Sequence, residues 1–169
     1  LLTQAQDELE LENQLEAIKR MAIFHDDTFQ LLGAIPWHAN LLSPRVKDMA
    51  AYLNAEVINA GDIEHRRIRS IALCTRTVAN LVSHLKPGTL LVTAGDRSDI
   101  LVAAALSVMN GVKIGGVLLT GGYPLNQNIR KISQFAFDSG LPVLQMQEDT
   151  WSVSRRLQNY PYDLPQDDA

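Results

Sequence analysis

The chain has 169 residues, of which 46% are hydrophobic and 20% charged, a composition that supports one globular domain, or one domain with an extra fragment, without disulfides. Its net charge of −4 argues against general nucleic-acid binding, which requires a basic face. The single cysteine fits a reducing, cytoplasmic compartment, and no apolar run approaches the roughly 20 residues that span a membrane.

The N-terminal part of the chain contains three predicted elements before the pattern becomes regular. Residues 5–22 have the apolar spacing of an acidic amphipathic helix, and residues 29–36 predict a short buried strand that ends at Pro36. Ser43 and Pro44 are typical of a helix N-cap and first turn, and they predict a helix that continues to about Asn54. The chain opens without Met, so we expect a fragment of a longer protein.

Beyond this point apolar runs alternate with helical patterns. The predicted strands are 55–62, 68–74, 89–93, 116–120 and 142–147, and the predicted helices are 78–85, 98–109, 126–139 and 150–159. The strands are nearly continuous runs of Leu, Val and Ile, as expected when both faces of a sheet are covered. We therefore predict an α/β fold with three layers, α/β/α, around a mostly parallel sheet.

Two turns follow successive predicted strands, and we call them the first turn, "TAGDRSD" (93–99), and the second turn, "TGGYP" (120–124). Ligands of open parallel sheets bind beyond the carboxyl ends of the strands, which is where both turns would lie. If the two strands are neighbours, the turns form one site. The candidate ligand-binding residues are Thr93, Gly95, Asp96, Arg97, Ser98, Thr120, Gly121 and Gly122.

Each residue type in these turns has a functional and a purely structural explanation. Gly95 would let the backbone approach a ligand, Arg97 would offer a positive fork, and the second turn would add accessible amides. Asp96, Ser98 or Asp99 could cap the following helix. The alternative is that the glycines only allow tight strand-to-helix turns, with Asp96 or Ser98 as an ordinary helix cap. No Walker-type or GxGxxG motif is present.

A basic cluster precedes the second of the regular strands. Asp62, Arg66 and Arg67 form a weaker candidate for anion binding or for a subunit interface, because arginines hold carboxylates and phosphates through paired hydrogen bonds. A solvated edge is the alternative. The acidic and histidine residues nearby lack the convergent spacing of metal ligands, so we predict no metal site.

No set of residues in the sequence assembles catalytic machinery. Cys74 lies in an apolar strand, where a thiol usually behaves as a small hydrophobe. The four histidines are scattered, and none accompanies a nucleophile motif. We therefore predict no catalytic residue and no cofactor, and we favour binding over reaction.

The combined pattern resembles one known family. The segments "GDIEHRR", "LLVTAGDR", "MNGV" and "LLTGGY" are similar, in order, to the central DRTGG domain of the long bacterial phosphate acetyltransferases, over roughly residues 45–165. The upstream "LLGAIPWHANLLSPRV" resembles the exit from the preceding dethiobiotin-synthetase-like domain. The resemblance implies a tail of a P-loop-like domain with a linker (1–44), a DRTGG-like domain (45–160), and a linker to a missing C-terminal domain (161–169).

The resemblance also implies a function. The implied function is that of a non-catalytic regulatory and oligomerisation domain. The parent enzyme would convert acetyl-CoA and phosphate into acetyl phosphate and CoA. The implied partners are a second copy of the chain, in a dimer or larger homo-oligomer, and a nucleotide or small acidic metabolite such as pyruvate. A stand-alone sensor without acetyltransferase activity is the alternative. Asp99 stands where the family motif has glycine, and a carboxylate there would repel a phosphate.

Overall fold

The computed structural model describes residues 8–21 and 43–161. The chain divides into two compact units, Leu1–Leu41 and Leu42–Ala169. In the first unit, helix α1 (Glu8–Lys19) confirms the predicted N-terminal helix and ends before Arg20. The strand predicted at 29–36, and all but the first residue of the linker predicted at 161–169, lie outside the described residues.

The described part of the second unit contains five strands and six α-helices, which alternate from β2 to β4. In chain order it contains α2 (Val46–Leu53), β1 (Glu56–Asn59), β2 (Ser70–Leu73), α3 (Val78–Leu81), a short 3-10 helix (Val82–His84), β3 (Thr89–Ala94), α4 (Ser98–Met109), β4 (Gly116–Thr120), α5 (Gln127–Ile132), α6 (Gln134–Asp138), β5 (Val143–Gln145) and α7 (Thr150–Gln158). No helix in the two described ranges is long and apolar enough to cross a membrane.

The five strands form one sheet in the order β1-β5-β4-β3-β2. Strands β2 to β5 are parallel to one another, and β1 alone runs antiparallel, against β5 at the edge. The mostly parallel sheet predicted from the alternating pattern is therefore confirmed. Because the four parallel strands share one direction, their carboxyl ends meet at the same edge of the sheet.

Helices cover both faces of the sheet, which confirms the three-layer architecture. Leu91 and Leu119 belong to a core cluster with α4 and α6, whereas Leu90 and Leu118 belong to a second cluster with α2 and α7. Successive side chains of a strand point to opposite faces, so this alternation divides the core between the two layers of helices. All the residues of β4 are buried, as their uninterrupted apolar run predicted.

Three predicted helix boundaries are wrong. The helix expected at 126–139 is interrupted at Ser133, and of its two parts only α6 has buried residues, Ala136 and Phe137. The helix expected at 78–85 tightens into a 3-10 turn after Leu81. Helix α2 has Arg45 rather than Ser43 as its N-cap, and the Arg45 side chain pairs with Asp48 at 2.8 Å.

Candidate functional site

The first and second turns lie side by side, as expected for the ends of neighbouring strands. Strands β3 and β4 are adjacent and parallel, with Ala94 opposite Thr120 in the register. The Gly95 amide then donates a hydrogen bond to the Thr120 carbonyl oxygen at 2.8 Å. The two turns are thus fixed to each other through backbone contacts.

Gly95 is required by the packing of the two turns against each other. A Cβ atom at this buried position would lie 3.0 Å from the carbonyl oxygen of Tyr123 and 3.1 Å from its Cβ. Both distances are tighter than ordinary van der Waals contact. The small residue therefore serves the close approach of the second turn, which is the structural explanation that the sequence left open.

The glycine amides of the second turn are occupied. The Gly121 N–H donates to the Glu148 carbonyl oxygen at 2.8 Å, and the Gly122 N–H donates to the Met146 carbonyl oxygen at 2.9 Å. Both glycines have positive φ angles, which turn their amides toward the segment that leads from β5 into α7. The expectation that these amides would be accessible to a ligand is therefore wrong.

Arg97 forms a two-pronged ion pair with Asp99 at the start of α4. Its Nε donates to one carboxylate oxygen at 2.9 Å and its Nη2 to the other at 2.8 Å, while Nη2 also reaches the Arg76 carbonyl oxygen at 3.1 Å. The side chains of Arg97 and Asp99 are 32% and 46% exposed, so the pair remains open to solvent. The guanidinium is held in place by a partner that an anionic ligand could replace.

The ion pair keeps both groups charged. The hydrogen bond from Arg97 is the main reason why the pKa of the Asp99 carboxyl is lowered, and the same bond raises the pKa of Arg97. Arg97, rather than Asp96, Ser98 or Asp99, occupies the N-cap position, and its side chain makes no capping hydrogen bond. The Asp99 carboxylate binds the Arg97 guanidinium and also accepts from the backbone amides of Asp99 and Ile100 in the first turn of α4, which is part of the capping role expected of it.

Two side chains of the first turn remain available to a ligand. Within the part of the chain that the structure describes, the Asp96 carboxylate and the Ser98 hydroxyl have no hydrogen-bond partner. Asp96 is exposed and Ser98 is partly buried. The first turn therefore presents one free carboxylate, one hydroxyl and a guanidinium engaged by Asp99.

The two threonines at the strand ends differ in how their hydroxyls are satisfied. Thr120 Oγ1 bonds the Thr93 carbonyl oxygen at 3.2 Å and lies 2.7 Å from Thr150 Oγ1, which links β4 to the start of α7. Thr93 is 2% exposed, and its Oγ1 has no partner among the described residues. A buried hydroxyl without a partner costs about 1–3 kcal/mol in desolvation.

This difference predicts opposite stability changes for two matched substitutions. Thr93→Val removes an unpaired hydroxyl at nearly constant volume and is expected to raise the free energy of unfolding by about 1 kcal/mol. Thr120→Val, the control, breaks two hydrogen bonds and is expected to lower it by about 1–3 kcal/mol. Urea unfolding followed by circular dichroism measures both. A clear loss of stability in Thr93→Val would mean that its hydroxyl is satisfied in solution.

The basic cluster lies at the amino ends of the parallel strands, whereas the two turns lie at their carboxyl ends. The Arg66 guanidinium donates to the carbonyl oxygens of Ile114 and Ser139, which precede β4 and β5 at their amino ends. Burial lowers the pKa of Arg66, and the neighbouring Asp62 partly offsets this effect. Arg67 donates to the Ser43 carbonyl oxygen at 3.0 Å. Both arginines therefore bind backbone carbonyl oxygens. The structure does not bring them together with the two turns.

Cys74 lies at the end of β2 and is 5% exposed. Burial is the main reason why its pKa is raised, to about 11, so the thiol stays protonated at neutral pH. This agrees with the small-hydrophobe interpretation. Among the described residues, no group of three or more His, Cys, Asp and Glu is placed to hold a metal ion.

Tyr123 is a residue of the second turn that the sequence did not single out as a site residue. Its side chain is half exposed, and its ring lies so close to Gly121 that a Cβ there would be 2.8 Å from Tyr123 Cε2. The aromatic ring therefore borders the turns and offers a flat apolar surface. The only available signal was the aromatic residue that directly follows two glycines.

Comparison with known proteins identifies the domain type. The family model of the DRTGG domain matches residues 48–160. Among solved structures, the chain is similar to the crystal structure of the CBS and DRTGG domains of the regulatory region of Clostridium perfringens pyrophosphatase, complexed with its activator diadenosine tetraphosphate. The TM-score is 0.57 at 20% identity, over 75% of this chain and 53% of the other.

Curated relatives with higher identity are phosphate acetyltransferases. The chain is 47% identical to that of Salmonella typhimurium over 138 residues, which is 82% of this chain and 19% of the relative. It is 40% identical to that of Haemophilus influenzae over 157 residues, which is 92% of this chain and 22% of the relative. The chain thus spans only about a fifth of the length of these enzymes.

Proposed function

Since the chain belongs to the DRTGG domain family, we propose that it is the regulatory and oligomerisation domain of a phosphate acetyltransferase. The observation that carries this proposal is the match to phosphate acetyltransferases over most of this chain but only about a fifth of theirs. The parent enzyme would interconvert acetyl-CoA and phosphate with acetyl phosphate and CoA. Its catalytic residues would lie in the remainder of the polypeptide, and the enzyme would be cytoplasmic.

We further propose that the first and second turns bind an anionic ligand, either a nucleotide or a small acidic metabolite. The similar regulatory region of the Clostridium perfringens pyrophosphatase is complexed with diadenosine tetraphosphate, which supports the nucleotide. In this chain Arg97 supplies the positive charge, and Ser98 supplies a hydroxyl. Tyr123 is placed to stack against a ring, because half of its side chain is exposed beside Gly121.

Binding at the turns would require an exchange of partners at Arg97. The guanidinium is now neutralised by Asp99, so an incoming phosphate or carboxylate must displace that carboxylate. The exchange is feasible because both side chains are partly exposed, and an exposed ion pair of this kind contributes only about 0–1 kcal/mol. A thermal-shift screen of nucleotides and central metabolites, pyruvate included, would identify the ligand.

Self-association is the second part of the proposed role, and the outer side of α4 and α6 is its proposed surface. Leu106 and Met109 at the end of α4 are 53% and 55% exposed, and Phe135 on α6 is 58% exposed. Helices α4 and α6 pack against each other, so these side chains lie on neighbouring elements. Ala104 and Ala105 of α4 are buried in the domain core and do not belong to this surface.

Replacement of Leu106 by Glu is expected to convert a dimer or larger species into a monomer. A charge at a largely exposed position costs the monomer little, but it cannot be accommodated in an apolar interface. Sedimentation velocity measures the change. The matched control is Trp151→Glu on α7, since Trp151 is 71% exposed on a different helix and its variant should associate like the wild type. A wild-type chain that is monomeric at high concentration would contradict this part of the proposal.

A further inference from the structure

The Asp99 carboxylate occupies an anion-binding position that the chain itself forms. It accepts two hydrogen bonds from the Arg97 guanidinium, at 2.9 and 2.8 Å, and the backbone amides of Asp99 and Ile100 also donate to it. A guanidinium fork beside the first amides of a helix is an arrangement that holds a carboxylate or a phosphate. The carboxylate of Asp99 therefore marks the position that the anionic group of a ligand would take.

The donors that remain available around this position lie toward β2 rather than toward β4. On the β4 side, the amides of Gly95, Gly121 and Gly122 already donate to backbone carbonyl oxygens. On the β2 side, Arg97 Nη2 donates to the Arg76 carbonyl oxygen at 3.1 Å, and Arg76 belongs to the loop that joins β2 to α3. A ligand that displaces Asp99 therefore meets the β2–α3 loop.

Arg76 is a second cation beside the anion-binding position. Its side chain is exposed and forms no hydrogen bond or ion pair within the two described ranges of the chain. The pKa of the Cys74 thiol is raised mainly by burial, and the charges of Arg97 and Asp99 also act on it, which places the ion pair next to the end of β2. Because the Arg76 side chain has no other partner, it is free to turn toward an anion that Arg97 holds.

The number of acceptor oxygens distinguishes between two classes of anion at this position. A monocarboxylate would use both of its oxygens on the fork of Arg97, as Asp99 does now. A phosphate monoester carries a charge of about −1.5 to −2 at pH 7 and has three acceptor oxygens, so one oxygen remains for Arg76. Asp96, the other carboxylate of the first turn, is exposed, so solvent screens its charge.

We propose that Arg76 and Arg97 together bind the phosphate monoester group of the regulatory ligand, a nucleotide or a sugar phosphate, and that Arg76 makes the site prefer phosphates to monocarboxylates. This inference rests on the proposed binding of an anion at the turns. It adds the charge class of the ligand and extends the site to the β2–α3 loop.

Calorimetric titration of the 169-residue chain with adenosine monophosphate, glycerol phosphate and pyruvate tests the proposal. Both phosphates are expected to bind about tenfold or more tightly than pyruvate, and the tighter of the two shows whether the base contributes. Arg76→Ala should weaken both phosphates about tenfold or more and leave pyruvate unchanged. The variant should fold normally, because it keeps the main-chain carbonyl oxygen that binds Arg97 and loses only a side chain without a partner in the described part of the chain.

Arg130→Ala is the matched control. Arg130 is also exposed, and its side chain has no partner among the described residues, but it lies on α5, so its variant should bind all three compounds like the wild type. Arg97→Ala should weaken all three, because it removes the fork itself. The inference is overturned, with the anion site of the turns intact, if Arg97→Ala weakens binding and Arg76→Ala does not, or if pyruvate binds as tightly as the phosphates. Binding that survives both substitutions unchanged would refute the anion site at the first turn as well.

Discussion

Gly61→Ala is expected to lower the free energy of unfolding by about 3 kcal/mol or more, because the added methyl group has no room. A Cβ at Gly61 would lie 2.6 Å from both the carbonyl carbon and the carbonyl oxygen of Gly140, and neither is the movable end of a side chain. Gly61 also has a φ of +48°, in the left-handed region. The segments around Gly61 and Gly140 are held together by the Asp62 N–H, which donates to the Gly140 carbonyl oxygen at 3.0 Å.

Gly111→Ala is the matched control for this prediction. Gly111 also has a left-handed φ, of +83°, but a Cβ there would meet nothing within 4 Å. Its cost is therefore that of the backbone conformation alone, about 1–2 kcal/mol. Urea unfolding of both variants separates steric overlap from backbone strain. If the two variants lose the same stability, the close crossing at Gly61 and Gly140 does not exist in solution.

Arg97→Ala and Asp99→Asn are expected to change the affinity for an anionic ligand in opposite directions. Arg97→Ala removes charge-assisted hydrogen bonds and should weaken binding about tenfold or more. Asp99→Asn removes the carboxylate that now occupies the guanidinium, so it should tighten binding by up to about tenfold. Calorimetric titration with the strongest hit of the ligand screen measures both effects.

The stability of the same two variants, measured without ligand, is the control for their effect on binding. Because the Arg97–Asp99 ion pair is partly exposed, its loss should cost only about 0–1 kcal/mol in unfolding free energy. A change in ligand affinity therefore cannot be attributed to unfolding, and thermal denaturation without ligand verifies this. Unchanged affinity in both variants would remove the first turn from the binding site, whatever the ligand proves to be.

The adjacency of the two turns was predictable because it follows from local patterns and one general rule. Apolar runs at 89–93 and 116–120, each followed by a turn and a helix, indicate parallel strands, and the carboxyl ends of parallel strands share one edge. The covered sheet and its division between two layers of helices follow from the same patterns. The resemblance to the DRTGG domain also predicted the family to which the chain belongs.

Contacts between distant segments were not predictable from those patterns. Strand β1 precedes the other four in the sequence but pairs antiparallel with β5, because pairing at a sheet edge is decided by tertiary packing. The amides of Gly121 and Gly122 are taken by the segment after β5, which their local sequence does not indicate. Asp99 appeared in the sequence only as a potential repulsion, whereas in the structure it occupies Arg97.

The most direct test of the central claim, that this chain regulates rather than catalyses, is an assay of acetyl phosphate formation. The 169-residue chain is incubated with acetyl-CoA and phosphate, and released CoA is measured against a sample without protein. We expect no more CoA to be released than in the sample without protein, because Cys74 is buried and protonated and the turns offer only binding groups. Turnover that rises in proportion to the concentration of the chain would contradict it.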